Sequence, residues 1–168
     1  GFCSIRPIFC LITDTYIRRL GKKSGAMNTD TQIMRKPLVL VAAHDADHGK
    51  SIQNVLQQFG FRTQLADSGS TAYKFFVENQ PDAVLLDIPA GESDGFATCA
   101  RIRKHESGGE TPIFMVIDRD DDDAIEHAYR IGATDIIFNP VALPVLPHRV
   151  RYALRTARSL SDLRGLVR

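Results

Sequence analysis

The sequence predicts an α/β protein built as a doubly wound, five-stranded parallel sheet in (βα)5 order, ending in an extended C-terminal helix. Two observations carry this. Short apolar runs of strand length recur at residues 38–42, 83–86, 113–117 and 135–138, with a weaker one at 62–66. The strong runs are continuous, the pattern of strands buried on both faces. Helix-length stretches separate them, so strand and helix alternate five times, which argues for a parallel sheet covered by helices on each side.

Each element has its own signal. The run Leu38-Val39-Leu40-Val41-Ala42 follows Lys36-Pro37 and opens the sheet. Residues 51–59 place Ile52, Val55, Leu56 and Phe59 on one helical face. Asp67-Ser68-Gly69 is a turn and cap for a helix over 70–79. Further helices are expected over 95–106 and 121–131, and a last one starts near Leu143-Pro144, where proline in a first turn is tolerated.

Composition narrows the class. With 168 residues, 43% hydrophobic and 24% charged, the chain can bury one sizeable core. No stretch approaches the ~20 apolar residues of a membrane span. Cys3, Cys10 and Cys99 are odd in number and lack metal or redox spacing, so a reducing cytoplasm is the simplest compartment. The net charge is only +1, yet residues 1–36 and 149–168 each carry +5, which leaves −9 between them. An acidic body between basic ends argues against a nucleic-acid-binding core. Residues 1–36 are expected to be an N-terminal extension, with Met27 as a natural start or, alternatively, the upstream segment packed on the domain.

Open α/β sheets place their chemistry at the carboxyl ends of the strands. There the sequence offers Ala43, His44, Asp45 and Asp47 after the first run, Asp87 after the third, Asp118 after the fourth, and Asn139-Pro140 after the fifth. Asp87 closes the buried run Ala83-Val84-Leu85-Leu86, so its carboxylate emerges at the rim. Such a group can ligate metal or act as a nucleophile toward phosphorus; Asp94, seven positions on, fits a capping role better. Gly49-Lys50-Ser51 resembles the end of a phosphate loop, but His44 stands where its first glycine belongs and Asp45 and Asp47 would repel phosphate. The acidic run 118–123 lacks the glycine and ligand spacing of a calcium loop and reads as a solvated helix entry. His44 reads as an exposed loop histidine or as a pH-sensitive partner of Asp45 or Asp87, and His105, His127 and His148 as solvated.

Residues 37–160 resemble the receiver domain of two-component response regulators, the CheY-like family. The resemblance rests on Pro81-Asp82-Ala83-Val84-Leu85-Leu86-Asp87, Asp94-Gly95-Phe96, Gly132-Ala133 and Asn139-Pro140. It implies that Asp87 is the phospho-acceptor position. It also exposes departures at Ala43, His44, Asp45, Pro89, Ile117, Ile136 and Asn139. Ala43 and His44 replace the paired acids that hold Mg²⁺; Asp45 stands one step on. Ile117 replaces a hydroxyl residue, Ile136 the switch aromatic, and Asn139 a lysine. Phosphoryl transfer depends on neutralising charge, and Asp87 is expected to lack electrostatic help.

The expectation is therefore a degenerate receiver, or pseudo-receiver, with weak or no phosphorylation, no cofactor and no enzymatic activity. It would act through protein contacts with a sensor kinase or output domain. One rival is a working acceptor on Asp87, with Mg²⁺ held by Asp45 and Asp87 and with Asp47 shifted in as a further acid. Another is a small α/β phosphatase, which lacks a general acid matched to Asp87. With the receiver over 37–158, residues 159–168 overrun it as an amphipathic signalling helix: Val150, Leu154, Ala157, Leu160 and Leu163 recur at helical spacing, with arginines on the other faces. That overrun suits homodimerisation or a linker; in the family such extensions resemble linkers to cyclic-di-GMP turnover modules.

Overall fold

The computed structural model describes residues 35–87 and 94–166. The expectations for residues 1–34, including Met27, Cys3 and Cys10, and for Pro89 lie outside them. Five strands form one parallel sheet: β1 (Leu38–Ala43), β2 (Arg62–Ala66), β3 (Ala83–Asp87), β4 (Ile113–Asp118) and β5 (Asp135–Asn139). Their order is β2-β1-β3-β4-β5, which places β3 in the centre and the order reversal between β1 and β3. Five helices connect and follow the strands: α1 (Ala46–Gln58), α2 (Gly69–Asn79), α3 (Asp94–Lys104), α4 (Asp122–Ile131) and α5 (Leu146–Leu166).

The two-residue period of the strands divides the core. Val39, Val41, Ala43, Leu85, Phe114, Val116 and Ile137 face α1 and α5, meeting Ile52, Leu56, Leu146, Val150 and Leu154. Leu40, Ala42, Val84, Leu86, Met115, Ile117 and Ile136 face the other way, onto Ala72 and Phe76 of α2, Cys99 and Ile102 of α3, and Ala128 of α4. Both faces of the inner strands are thus dry, which explains why their apolar runs do not alternate. At the edge, β2 exposes Arg62 and Gln64 and half-exposes Thr63 and Leu65, the source of its weaker signal.

Two helix starts differ from the sequence reading. Helix α1 begins at Ala46, five residues before Ser51, because Asp45 caps it: Asp47 N–H donates to Asp45 Oδ1 at 2.8 Å and His48 N–H at 3.2 Å. Its first turn is polar and faces the rim, so apolar periodicity misses it. Gly49-Lys50-Ser51 therefore lies inside a helix and forms no phosphate loop. Helix α5 begins at Leu146, placing Pro147 rather than Pro144 in its first turn. Elsewhere local chemistry agrees. Ser68 accepts from Thr71 N–H at the start of α2, Asp121 accepts from Ala124 N–H at the start of α4, and Gly132 (φ 100°) closes α4 in the left-handed region.

Candidate functional site

Parallel register brings Ala43 of β1 directly beside Asp87 of β3, with Val116 of β4 on the other side. Asp87 follows Ala83 and Leu85 on the β3 face that looks toward α1 and α5. The first turn of α1 comes over this face, and His48 Nδ1 lies 2.8 Å from Asp87 Oδ2. The carboxylate is 13% exposed and the imidazole 30% exposed. An ionised carboxylate only accepts, so Nδ1 carries the donated proton and Nε2 is left as the open ring nitrogen.

This contact corrects the expectation that Asp87 stands without electrostatic help. Burial pushes the Asp87 carboxyl above its ordinary value; His48 pulls it down through charge and hydrogen bond, and the negative charges of Asp45 and Asp118 push it up. The partner is His48 and not His44, which is exposed. The sequence carried a signal for it. Counting back along β3 places Asp87 on the α1 side, and a cap at Asp45 makes His48 the third residue of α1, in the turn nearest the rim.

The other departures divide between the rim and the far face of the sheet. Asp45 Oδ1 is committed to the α1 cap, and its carboxyl is held below the ordinary value by those backbone N–H groups. Asn139 donates from Nδ2 to Asp118 Oδ1 at 3.0 Å, across the β4–β5 register. Ile117 and Ile136 are buried on the opposite face, 4% and 3% exposed. They belong to the core under α2, α3 and α4, not to the cleft.

The described rim residues offer a magnesium ion few hard oxygens. Ala43 has no donor, His44 offers nitrogen where a hard cation wants oxygen, one oxygen of Asp45 is spent on the cap, and Asp87 Oδ2 is spent on His48. Among the described residues no group of three or more His, Cys, Asp or Glu side chains is arranged to hold a metal ion.

Of the three histidines expected to be solvated, His127 and His148 are exposed and His105 is half-buried, and each also rests on a phenylalanine ring. His105 meets Phe76 edge-on at 5.7 Å between centroids, His127 stacks on Phe96 at 4.7 Å, and His148 meets Phe59 edge-on at 5.2 Å.

A 2-1-3-4-5 parallel sheet with an aspartate ending its central strand defines a flavodoxin-like α/β protein whose site lies at the carboxyl ends of the strands. The sequence model of the response regulator receiver domain matches residues 39–151, and the chain belongs to that family, the receiver domains of two-component signalling. The transcriptional regulatory protein AfsQ1 of Streptomyces coelicolor is 32% identical over 119 residues, 71% of this chain and 52% of that protein. The response regulator MprA of Mycobacterium sp. (strain KMS) is 32% identical over 117 residues, covering 70% and 50%. The chain thus spans about half the length of these curated relatives. Among solved structures, a response regulator from Chloroflexus aurantiacus superposes with a TM-score of 0.68 at 27% identity, covering 72% of this chain and 99% of that one. The chemotaxis protein CheY4 of Vibrio cholerae shares the fold, with a TM-score of 0.66 at 18% identity over 71% of this chain and 99% of that one. Among the described residues no helix is long and apolar enough to cross a membrane.

Proposed function

We propose that this receiver is degenerate: a signalling module that takes little or no phosphate on Asp87 and works through protein contacts. The observation that carries the reading is the His48–Asp87 hydrogen bond. It occupies the carboxylate oxygen with a fixed side chain, in a cleft whose first-loop positions, Ala43 and His44, supply no hard oxygen ligand. An acyl phosphate there would place three further oxygens near Asp45 and Asp118, with Asn139 standing where a lysine would balance them. His48 alone offers one neutral or singly charged donor.

In this reading residues 37–158 form the receiver, residues 1–36 an N-terminal extension, and residues 159–168 the start of a signalling helix. The C-terminal part of α5 supports a contact role, since Leu160, Leu163 and Leu166 are 51%, 59% and 82% exposed. Pairing with a second copy, or continuation into an output module such as one for cyclic-di-GMP turnover, would cover them. A sensor kinase, an output domain or a second copy is the expected class of partner, the cytoplasm the expected compartment, and nucleic acid not an expected ligand.

The test is beryllofluoride with Mg²⁺, followed by fluorine NMR and native mass. The expected result is no adduct on the natural chain. An adduct that forms at low-millimolar Mg²⁺ and disappears in Asp87→Asn would overturn the reading in favour of a working acceptor.

A further inference from the structure

At the opposite pole of the sheet from Asp87, the end of α1 and the middle of α5 enclose an open pocket of about 330 Å³. Its floor is apolar: Pro37, Phe59 and Phe61, with Phe59 36% exposed. Its wall is Arg151, Arg155 and Arg158, one face of α5. Arg151 is held in place. Its Nη2 donates to the Phe59 carbonyl at 2.9 Å, and its guanidinium lies 6.0 Å and 5.8 Å from the Phe59 and Phe61 ring centres. Neither the Arg155 nor the Arg158 guanidinium has a hydrogen-bond or ion-pair partner among the described residues, and no described carboxylate lines the pocket.

We propose that this face docks a short acidic segment of a partner polypeptide, with an apolar side chain of that segment seated against Phe59 and its carboxylates paired with Arg155 and Arg158. Four features point to that occupant. Arginine beside an exposed aromatic ring is the composition that protein interfaces concentrate. Two guanidiniums three residues apart on a helix lie close enough to bind one pair of carboxylates. The wall spans only about 10 Å at 1.5 Å per residue, the reach of a short peptide stretch rather than of a nucleic-acid backbone. The body beyond is acidic, and a longer polyanion would be repelled by it. The site is built on packed elements, with Leu154 and Val150 of α5 buried in the core, so its geometry exists before a partner arrives. The inference stands apart from the state of Asp87.

The test uses the full chain and fluorescence anisotropy with a labelled peptide in which Asp and Glu flank a Leu-Phe pair. Two comparators are used: the same peptide with serine for the acids, and a single-stranded oligothymidylate of similar length. The expected result is saturable binding of the acidic peptide alone, weakened about tenfold or more in the double variant R155E/R158E. Both positions are exposed, and an unchanged thermal midpoint verifies that the variant is folded. Absence of saturable binding, equal affinity in R155E/R158E, or tighter binding of the oligonucleotide would each overturn the proposal. So would retained affinity of the serine peptide.

Discussion

The two poles of the sheet spend charge in opposite ways. At the amino-terminal pole a cation is fully used on the protein's own backbone. Arg103, at the end of α3, donates to the carbonyls of Gly132 at 2.7 Å, Gly108 at 2.6 Å and Thr111 at 2.7 Å, and to Thr134 Oγ1 at 3.1 Å. It ties the loop before β4 to the loop before β5. At the carboxyl-terminal pole the charge is anionic, and the one described side chain bonded to Asp87 is a histidine. The comparison teaches where this receiver's rigidity and its reactivity reside. A guanidinium with four partners fixes loops, whereas a carboxylate held by one imidazole in a half-open cleft is positioned but weakly compensated.

The comparison breaks most directly at Arg103. Arg103→Ala leaves three loop carbonyls short of a charged donor, and such losses cost about 3 kcal/mol together. His48→Ala removes one half-exposed bond and costs about 1 kcal/mol or less. Urea unfolding of the two variants measures the difference. Equal losses would mean that the amino-terminal clasp is no firmer than the site. In Arg103→Ala the His48 ring signals are expected to be unmoved in NMR spectra, since the two poles share no contact.

A second substitution probes what brings α1 against the rim. Gly49 is buried, and a Cβ there would stand 2.7 Å from Leu65 Cδ1 and 2.9 Å from Ala43 Cβ. Leu65 can turn aside, but Ala43 is fixed in β1 beside Asp87. Gly49→Ala is therefore expected to push the first turn of α1 outward and to cost about 2 kcal/mol of overpacking. It should also lengthen the His48–Asp87 contact, readable as a displacement of the His48 ring signals in NMR spectra. A variant as stable as the natural chain, with those signals unchanged, would show that α1 has room to spare.

The sheet was legible because its inner strands are dry on both faces and its helices are capped by residues that leave few alternatives, such as Ser68 and Asp121. Asp87 was legible because it ends a buried run at the order reversal of the sheet. His48 was not, because it sits in a turn with no apolar stripe, and a histidine one turn into a helix looks like any solvated residue until the cap at Asp45 fixes the phase. The role of Arg103 was equally hidden. Its partners are main-chain carbonyls of loops, and no side-chain pattern announces them.

The smallest effect separates two neighbouring carboxylates whose shifts have opposite signs. Asp45 is lowered from 3.8 by the α1 backbone N–H groups. Its contribution to stability is present above that value and is lost as pH falls through the lower folded one. Asp87 is raised from 3.8, chiefly by burial. Its ionisation opposes folding, so the protein is least penalised below 3.8 and loses stability as pH rises toward the folded value, after which the penalty is constant. In urea titrations, Asp87→Asn should gain midpoint relative to the natural chain as pH rises above 3.8. Asp45→Asn should lose midpoint at neutral pH and converge with the natural chain in acid. A midpoint difference for Asp87→Asn that is flat or shrinking with rising pH would mean that the His48 hydrogen bond outweighs burial. The acidic pole would then be as well compensated as the arginine pole.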